Sequence, residues 1–515
     1  MTVSALAADV LTYPTTRKED VVDTLHGVKI ADPYRWLEDD NSEETKKWVK
    51  AQNDVTFGYL EKLPRRAEIQ SRLKELWNYE RVGMPFERGG RWFYSYNSGL
   101  QNQPVLMTTG SLEDNAALLL DPNAMSKDGT TSLTDYEASE DGKLIAYGVS
   151  EAGSDWTTIR VRDIASGKDL EDVIQWVKFS GISWMKDGSG FFYARYDAPK
   201  PGAALTAKNE FHKLYFHKLG TSQKDDLLVY ERQDEPKWGF GGHVTEDGEY
   251  LIIPVWLGTE PKNRLFYKKI APDAPVVELL NDYDARYEFI DNVGPIFYFH
   301  TDLNATCYQV IAIDIRKPQR GNWRVIVPEV PKVLLESVST VGGKMFCQYL
   351  RDAKTEVKCF DMDGKLMREV KLPGIGSAGG FGGHRTDKST FYTFTSFTEP
   401  GAIYRMDLES GESTLWRRPQ VKFDGAGFET KQVFVTSKDG TKVPMFIVHK
   451  KGLKLDGSNP TLLYGYGGFS ISLTPSFSVS RAVWMEMGGV FAMPNLRGGG
   501  EYGRDWHLAG VKLGK

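Results

Sequence analysis

The sequence predicts a seven-bladed β-propeller that leads into the opening of an α/β domain. Three observations predict it. A turn followed by an aromatic-rich strand recurs seven times at near-even spacing. After about residue 430, alternating strands give way to a strand, glycine-rich loop, helix and strand. The chain also holds 26 Phe, 24 Tyr and 51 Gly in 515 residues, which suits many short strands joined by tight turns.

Residues 1 to about 78 have a different period from the rest of the chain. Asp32–Asp39 is a turn crowded with large side chains. A helix is predicted to start with Ser42 as N-cap and Glu43 and Glu44 in its first turn, with Trp48, Val55 and Tyr59 on one face and Pro64 ending it. A second helix, about 67–77, places Ile69, Leu73 and Leu76 in a stripe. Helices this short need a surface to pack on.

From about 80 to 430 the turns Gly89-Gly90, Asp141-Gly142, Asp187-Gly188, Asp247-Gly248, Val293-Gly294, Gly342-Gly343 and Asp387-Lys388 each precede an alternating strand. The second residues of these turns step along the chain by 52, 46, 60, 46, 49 and 45. Further turns at 162–167, 361–364 and 407–411 add a second hairpin. An all-β repeat of about 40–50 residues is the period of a propeller blade. A pair of β-sandwiches would leave the even spacing unexplained.

Beyond 430, Val433–Val448 reads as a hairpin turning at Asp439-Gly440. Thr461–Tyr464 reads as a short buried strand, Ser480–Met487 as a helix and Gly489–Met493 as an apolar strand. That order is α/β organisation, and with Gly465-Tyr466-Gly467-Gly468-Phe469 after its first strand it reads as the opening of an α/β-hydrolase sheet.

Composition excludes several functions. The net charge is −5 with no basic stripe, which argues against a nucleic-acid partner. No apolar run approaches the ~18 residues of a membrane span. Met1–Leu11 lacks the cationic start and long apolar centre of a signal peptide. Cys307, Cys347 and Cys359 are too few and unevenly placed for a disulfide framework, which points to a reducing compartment, and none has zinc-site spacing. The histidines form no metal cluster, so neither a metal nor another cofactor is expected.

Candidate chemistry lies in the last segment. Tyr466 is placed where α/β hydrolases keep an oxyanion-hole donor, and a phenol can fill that role; the alternative is a tyrosine packed over a glycine turn. Phe469 is either a pocket wall or core. Arg497 with three following glycines resembles a phosphate loop only loosely. His449 and His507 are the only histidines after residue 430, and a structural or surface role is expected of His507. No Gly-x-Ser-x-Gly elbow, the usual seat of the hydrolase nucleophile, occurs in the 515 residues.

Asp32–Asp39, Gly153–Trp156, Asp234–Trp238, Ser437–Gly457, Leu463–Phe469 and Asn495–Gly503 together resemble the prolyl oligopeptidase family, from about Tyr13 to Lys515. The resemblance implies a seven-bladed propeller inserted into an α/β-hydrolase domain that is incomplete in this chain. Residues 1–78 would be an N-terminal helical segment of the peptidase domain packed back onto it, 79–430 the propeller and 431–515 the start of the hydrolase domain. It implies a cytoplasmic serine endopeptidase, expected to be a monomer, that cuts short proline-containing peptides on the carboxyl side of proline. Tyr466 matches the family's oxyanion tyrosine, Phe469 a residue of the proline pocket and Phe179 a propeller residue that contacts substrate. Thr259, Trp256 and Gly239 depart from a cysteine, an arginine and a methionine found there in vertebrate-like members, so the outer subsites are expected to differ. The family's nucleophile, acid and histidine match nothing in these residues. A polypeptide of this sequence is therefore expected to be inactive, with a non-catalytic propeller that binds peptides or proteins as the alternative.

Overall fold

The computed structural model describes residues 11–204 and 206–515, so the start of the chain weighed as a signal peptide, up to residue 10, lies outside the described residues. The chain separates into two compact units, Met1–Glu75 and Leu76–Lys515.

The first unit holds a hairpin, Val22–Leu25 with Val28–Ala31, and helix α1, Glu43–Leu60. Helix α2, Arg66–Trp77, begins there. Ser42 caps α1 as expected, its hydroxyl accepting the Thr45 N–H at 3.1 Å. The Trp48 indole N–H donates to Thr16 Oγ1 at 2.9 Å and that of Trp36 to Arg17 O at 2.9 Å. Trp48 thereby ties the entry segment to α1, and Trp36 ties it to the short helical turn Arg35–Glu38 that precedes α1.

The second unit is dominated by seven antiparallel blades, at residues 81–120, 132–177, 183–230, 238–280, 287–327, 334–370 and 377–417, numbered blades 1 to 7. All seven sequence markers fall immediately before a long inner strand, from Arg91–Asn97 in blade 1 to Ser389–Thr395 in blade 7. The expected second turns at 162–167, 361–364 and 407–411 join the two outer strands of blades 2, 6 and 7. Blades 2 and 3 run together through one bridging pair, Val177 and Arg195.

Packing between blades comes from the aromatics that the composition advertised. Phe297 and Phe299 of blade 5 are buried against Ile252 and Leu265 of blade 4, and Phe346 of blade 6 stacks on Phe381 of blade 7 at 5.5 Å. The ring closes differently. Every strand of blade 1 and of blade 7 comes from its own contiguous stretch, and no ladder joins them. The seam is instead apolar: Leu112, Phe391 and Ile403 are buried there with Trp92, Tyr94 and Trp416, and Trp92 meets Phe391 edge-on at 5.7 Å.

The last segment forms a four-stranded sheet. The hairpin Phe428–Thr436 and Lys442–Lys450 pairs with Val490–Pro494, which in turn pairs in parallel with Thr461–Leu463. Helix α3, Val479–Glu486, packs Met485 with Phe446, Val448, Phe491 and Met493. One expectation is overturned. The strand at Thr461 is not buried: Leu462, Leu463 and Tyr464 are all exposed, Leu463 at 65%. Its apolar run suggested a core strand, but it is the edge of the sheet and pairs with one neighbour only.

The sheet segment is bonded to the propeller. Tyr502 donates to Asp352 Oδ1 at 2.7 Å, Ser377 Oγ to Pro475 O at 2.7 Å and Arg504 N to Thr306 O at 2.8 Å. Gly503 makes the last contact possible. It adopts φ +84°, and a Cβ there would lie 2.1 Å from Thr306 O. Among the described residues no helix is long and apolar enough to cross a membrane.

Candidate functional site

The site is built on two interlocked loops. Gly465–Ser470 leaves the edge strand and lies against Leu496–Gly500, which leaves its parallel neighbour. The fit tolerates no side chain: a Cβ on Gly467 would lie 2.7 Å from Leu496 Cβ, and one on Gly498 2.2 Å from Gly467 O. Ser470 N donates to Gly498 O at 3.1 Å, and His507 Nδ1 donates to the same carbonyl at 2.8 Å.

Beneath the loops sits a buried polar pair. Glu501 accepts the Leu473 N–H at 3.0 Å and the Asn495 amide at 3.2 Å, while Asn495 donates to Leu473 O at 2.7 Å. Burial pushes the Glu501 carboxyl above its ordinary value, and these donors offset only part of the shift. Arg497 does not face an anion site. Its guanidinium pairs with Asp439 and reaches Ser437 Oγ at 3.3 Å, fastening the loop to the hairpin turn.

A cavity of about 1030 Å³ opens between these loops and blades 4 and 5. Phe469, Ser470 and His507 line one side; Trp256, Thr259, Arg286 and Phe289 line the other. A second cavity of about 670 Å³ follows the propeller axis and is lined by residues of blades 1, 3, 4, 5, 6 and 7. His243 and Phe289 line both cavities, so the axial channel and the cleft adjoin.

The structure brings some of the expected residues to this cleft. Phe469 is a wall residue and not core: it is 76% exposed and left-handed, with φ +51°. Tyr466 is not packed away either. It is 45% exposed, and its hydroxyl has no hydrogen-bond partner among the described residues, but the cavity lining begins one residue later, at Gly467. Phe179 stands outside that lining. It is half exposed in blade 3's entry loop at φ +54°, and the Lys178 ammonium lies 5.2 Å from its ring and 5.2 Å from that of Trp156.

A residue that sequence reasoning missed connects Phe179 to the cleft wall. His212 is buried. Its Nδ1 accepts the Phe240 N–H at 3.0 Å, so Nε2 carries the proton and donates to Lys178 O at 3.0 Å. Burial pushes it down to about 4, against a smaller pull from the Lys178 carbonyl, and the ring is neutral at pH 7. Its ring lies 4.5 Å from that of Tyr196, tilted by 35°, and 5.9 Å from that of Trp256. A packed aromatic wall built on the neutral His212 therefore runs from the Phe179 loop, where the Lys178 ammonium sits, to the cleft. His507 was expected to be structural or on the surface. It fixes Gly498 and also lines the cleft.

Comparison with known proteins places these features. Residues 13–419 match the family described as the prolyl oligopeptidase N-terminal beta-propeller domain, and residues 475–515 match the prolyl oligopeptidase family. The chain is similar to a prolyl endopeptidase of Elizabethkingia miricola, 43% identical over all of this chain and 72% of that protein. It is similar to a solved prolyl endopeptidase from a study of two such enzymes, with a TM-score of 0.91 and 39% identity, covering 97% of this chain and 73% of the other. It is also similar to prolyl oligopeptidase B from Galerina marginata bound to a 25mer macrocyclization substrate, with a TM-score of 0.91 and 33% identity over 97% of this chain and 74% of that one.

Proposed function

The chain belongs to the prolyl oligopeptidase family, and on that footing we propose that its cleft binds short peptides for hydrolysis on the carboxyl side of proline. The observation that carries this reading is the cleft between the Phe469 loop and blades 4 and 5, adjoined by the axial channel. A peptide must be short or unfolded to enter such a space. Proline suits an apolar wall, because its ring brings apolar surface and its nitrogen has no hydrogen to satisfy. Phe469 supplies one such face beside the loop that carries Tyr466. Phe179 would meet the peptide further upstream, at the far end of the aromatic wall.

Tyr466 is assigned the oxyanion donor. Its free phenol would hydrogen-bond the carbonyl oxygen as negative charge grows on it, an effect worth ~10²–10³ in rate. The rest of the chemistry is acyl transfer, which needs no cofactor. Residues 1–78, 79–430 and 431–515 are assigned to a helical segment of the peptidase domain, the propeller and the opening of the hydrolase sheet. The three cysteines, buried and unpaired, favour a cytoplasmic setting, and a monomer is the assigned state.

These 515 residues contain no Gly-x-Ser-x-Gly, so a polypeptide of this sequence is predicted to bind without turning over. The alternative reading is a non-catalytic propeller that binds peptides or proteins. The two separate in a chimera that joins this chain to the remainder of the Elizabethkingia miricola relative. Under the first reading the chimera cleaves a Gly-Pro chromogenic substrate, and Tyr466→Phe lowers kcat by ~10²–10³ with little change in KM. A folded, inactive chimera would favour the non-catalytic reading, and full kcat in the phenylalanine variant would remove Tyr466 from the chemistry.

A further inference from the structure

The two residues just ahead of the blade 7 turn, His384 and Arg385, make bonds that leave their own blade. Arg88 of blade 1 donates to His384 Nε2 at 2.8 Å. The His384 carbonyl accepts Gly342 N of blade 6 at 2.9 Å. Arg385 N donates to Glu246 Oε1 of blade 4 at 2.7 Å, and the His384 ring lies 3.7 Å from the same oxygen. The Arg385 guanidinium reaches blade 5, pairing with Asp291 and with both oxygens of the Asn292 residue. Asn292 is itself held by its amide on Asp247 Oδ2 of blade 4 at 2.6 Å. His384 N is anchored at home on Asp387 Oδ2 at 2.7 Å.

In a seven-membered ring blade 4 lies across the axis from blade 7 and blade 5 lies two blades away, so this loop reaches over the channel. It does so in the cavity lined by propeller residues alone. The partners on blade 5 are not solvent-screened surface groups: Asn292 is fully buried and the Asp291 side chain is 8% exposed, while Glu246 of blade 4 is part-buried at 26%. Breaking such a set leaves desolvated charge behind, which a surface ion pair does not. The seam between blades 1 and 7 has no strand ladder and relies on apolar contact. The bridge starts on blade 7, touches blade 1 and is anchored on the far side of the ring.

We propose that His384 and Arg385 form an axial latch, a charged bridge that holds the propeller ring shut at the blade 1–blade 7 seam by tying both seam blades to blades 4 and 5. The latch stands independently of the peptidase reading. It assigns a ring-opening role to residues that touch neither Phe469 nor Tyr466.

Hydrogen exchange on the full chain tests it, comparing peptides over the seam strands Arg91–Asn97 and Ser389–Thr395 with the blade 3 strand Gly190–Arg195. In Arg385→Ala, seam exchange is expected to rise several-fold while blade 3 exchange stays unchanged. The isosteric variants Asp291→Asn and Glu246→Gln are expected to shift the same peptides in the same direction by less. If Arg385→Ala fails to fold, these two variants are read by the same criterion. Faster exchange confined to residues 382–388, or spread evenly over all blades, would overturn the latch and leave an ordinary loop contact.

Discussion

The indole of Trp256 lies against the backbone of Gly239, its partner on the neighbouring strand, where a Cβ would come within 2.3 Å of the ring. Taken singly along the sequence, the two residues are unrelated departures from the family pattern. In the fold they are one feature: the absent side chain at 239 is what seats a large ring at 256, on the wall of the cleft. Gly239→Ala should cost ~1–3 kcal/mol through overpacking. Combined with Trp256→Ala, the two changes should be non-additive by at least ~0.5 kcal/mol. Denaturant unfolding of the two single variants and the double variant measures this, and simple additivity would show that the ring does not depend on the glycine.

Phe469 should separate binding from stability. Its side chain is 76% exposed, so Phe469→Ala should leave unfolding within ~0.5 kcal/mol of the parent. Peptide affinity should nonetheless fall roughly tenfold, as for an aromatic anchor. Equal losses in both would make Phe469 a packing residue.

His217 is buried between two carboxylates, with Nδ1 2.6 Å from Asp226 and Nε2 2.9 Å from Asp172. Burial works to lower its pKa, but the two carboxylates together outweigh it and hold the imidazole above its ordinary value. The folded protein therefore binds this proton more tightly than the unfolded chain does. The stabilisation is complete below the ordinary histidine pKa and fades as pH rises through the raised one. His217→Gln should cost ~3–5 kcal/mol in mildly acidic solution, because it strands two buried carboxylates, and its deficit should narrow at alkaline pH. Unfolding of parent and variant across that pH range checks the sign; a deficit that widens with pH would contradict a charged imidazole.

The exposed edge strand predicts self-association. Leu462 and Leu463 are 44% and 65% exposed beside a free row of backbone donors and acceptors. Leu463→Lys should reduce aggregation seen by light scattering and leave the fold unchanged. Undiminished aggregation would place the sticky surface elsewhere.

The repeat was legible because each blade carries the same local turn before the same kind of strand, and local patterns are what a linear reading detects. Helix α1 was legible for the same reason: Ser42 and its two glutamates lie within one turn. The wall and the latch were not. His212 joins Lys178 to Phe240, and Arg88 meets His384 across 296 residues, contacts that only the closed ring creates. The edge strand misled because Leu462-Leu463 is apolar whether covered or bare. Tyr466 and Phe469 stood out through their glycines, but only the fold shows that Phe469 faces the cleft and that Tyr466 sits one residue beyond its lining.

Proline recognition at Phe469 is best measured by calorimetric titration of the 515-residue chain with a short Gly-Pro-containing peptide, set against the same peptide with alanine in place of proline. The expected result is saturable one-site binding of the proline peptide and at least ~10-fold weaker binding of the alanine peptide, with the preference abolished in Phe469→Ala. Equal binding of the two peptides, or a proline preference that survives the loss of Phe469, would contradict a proline-binding cleft.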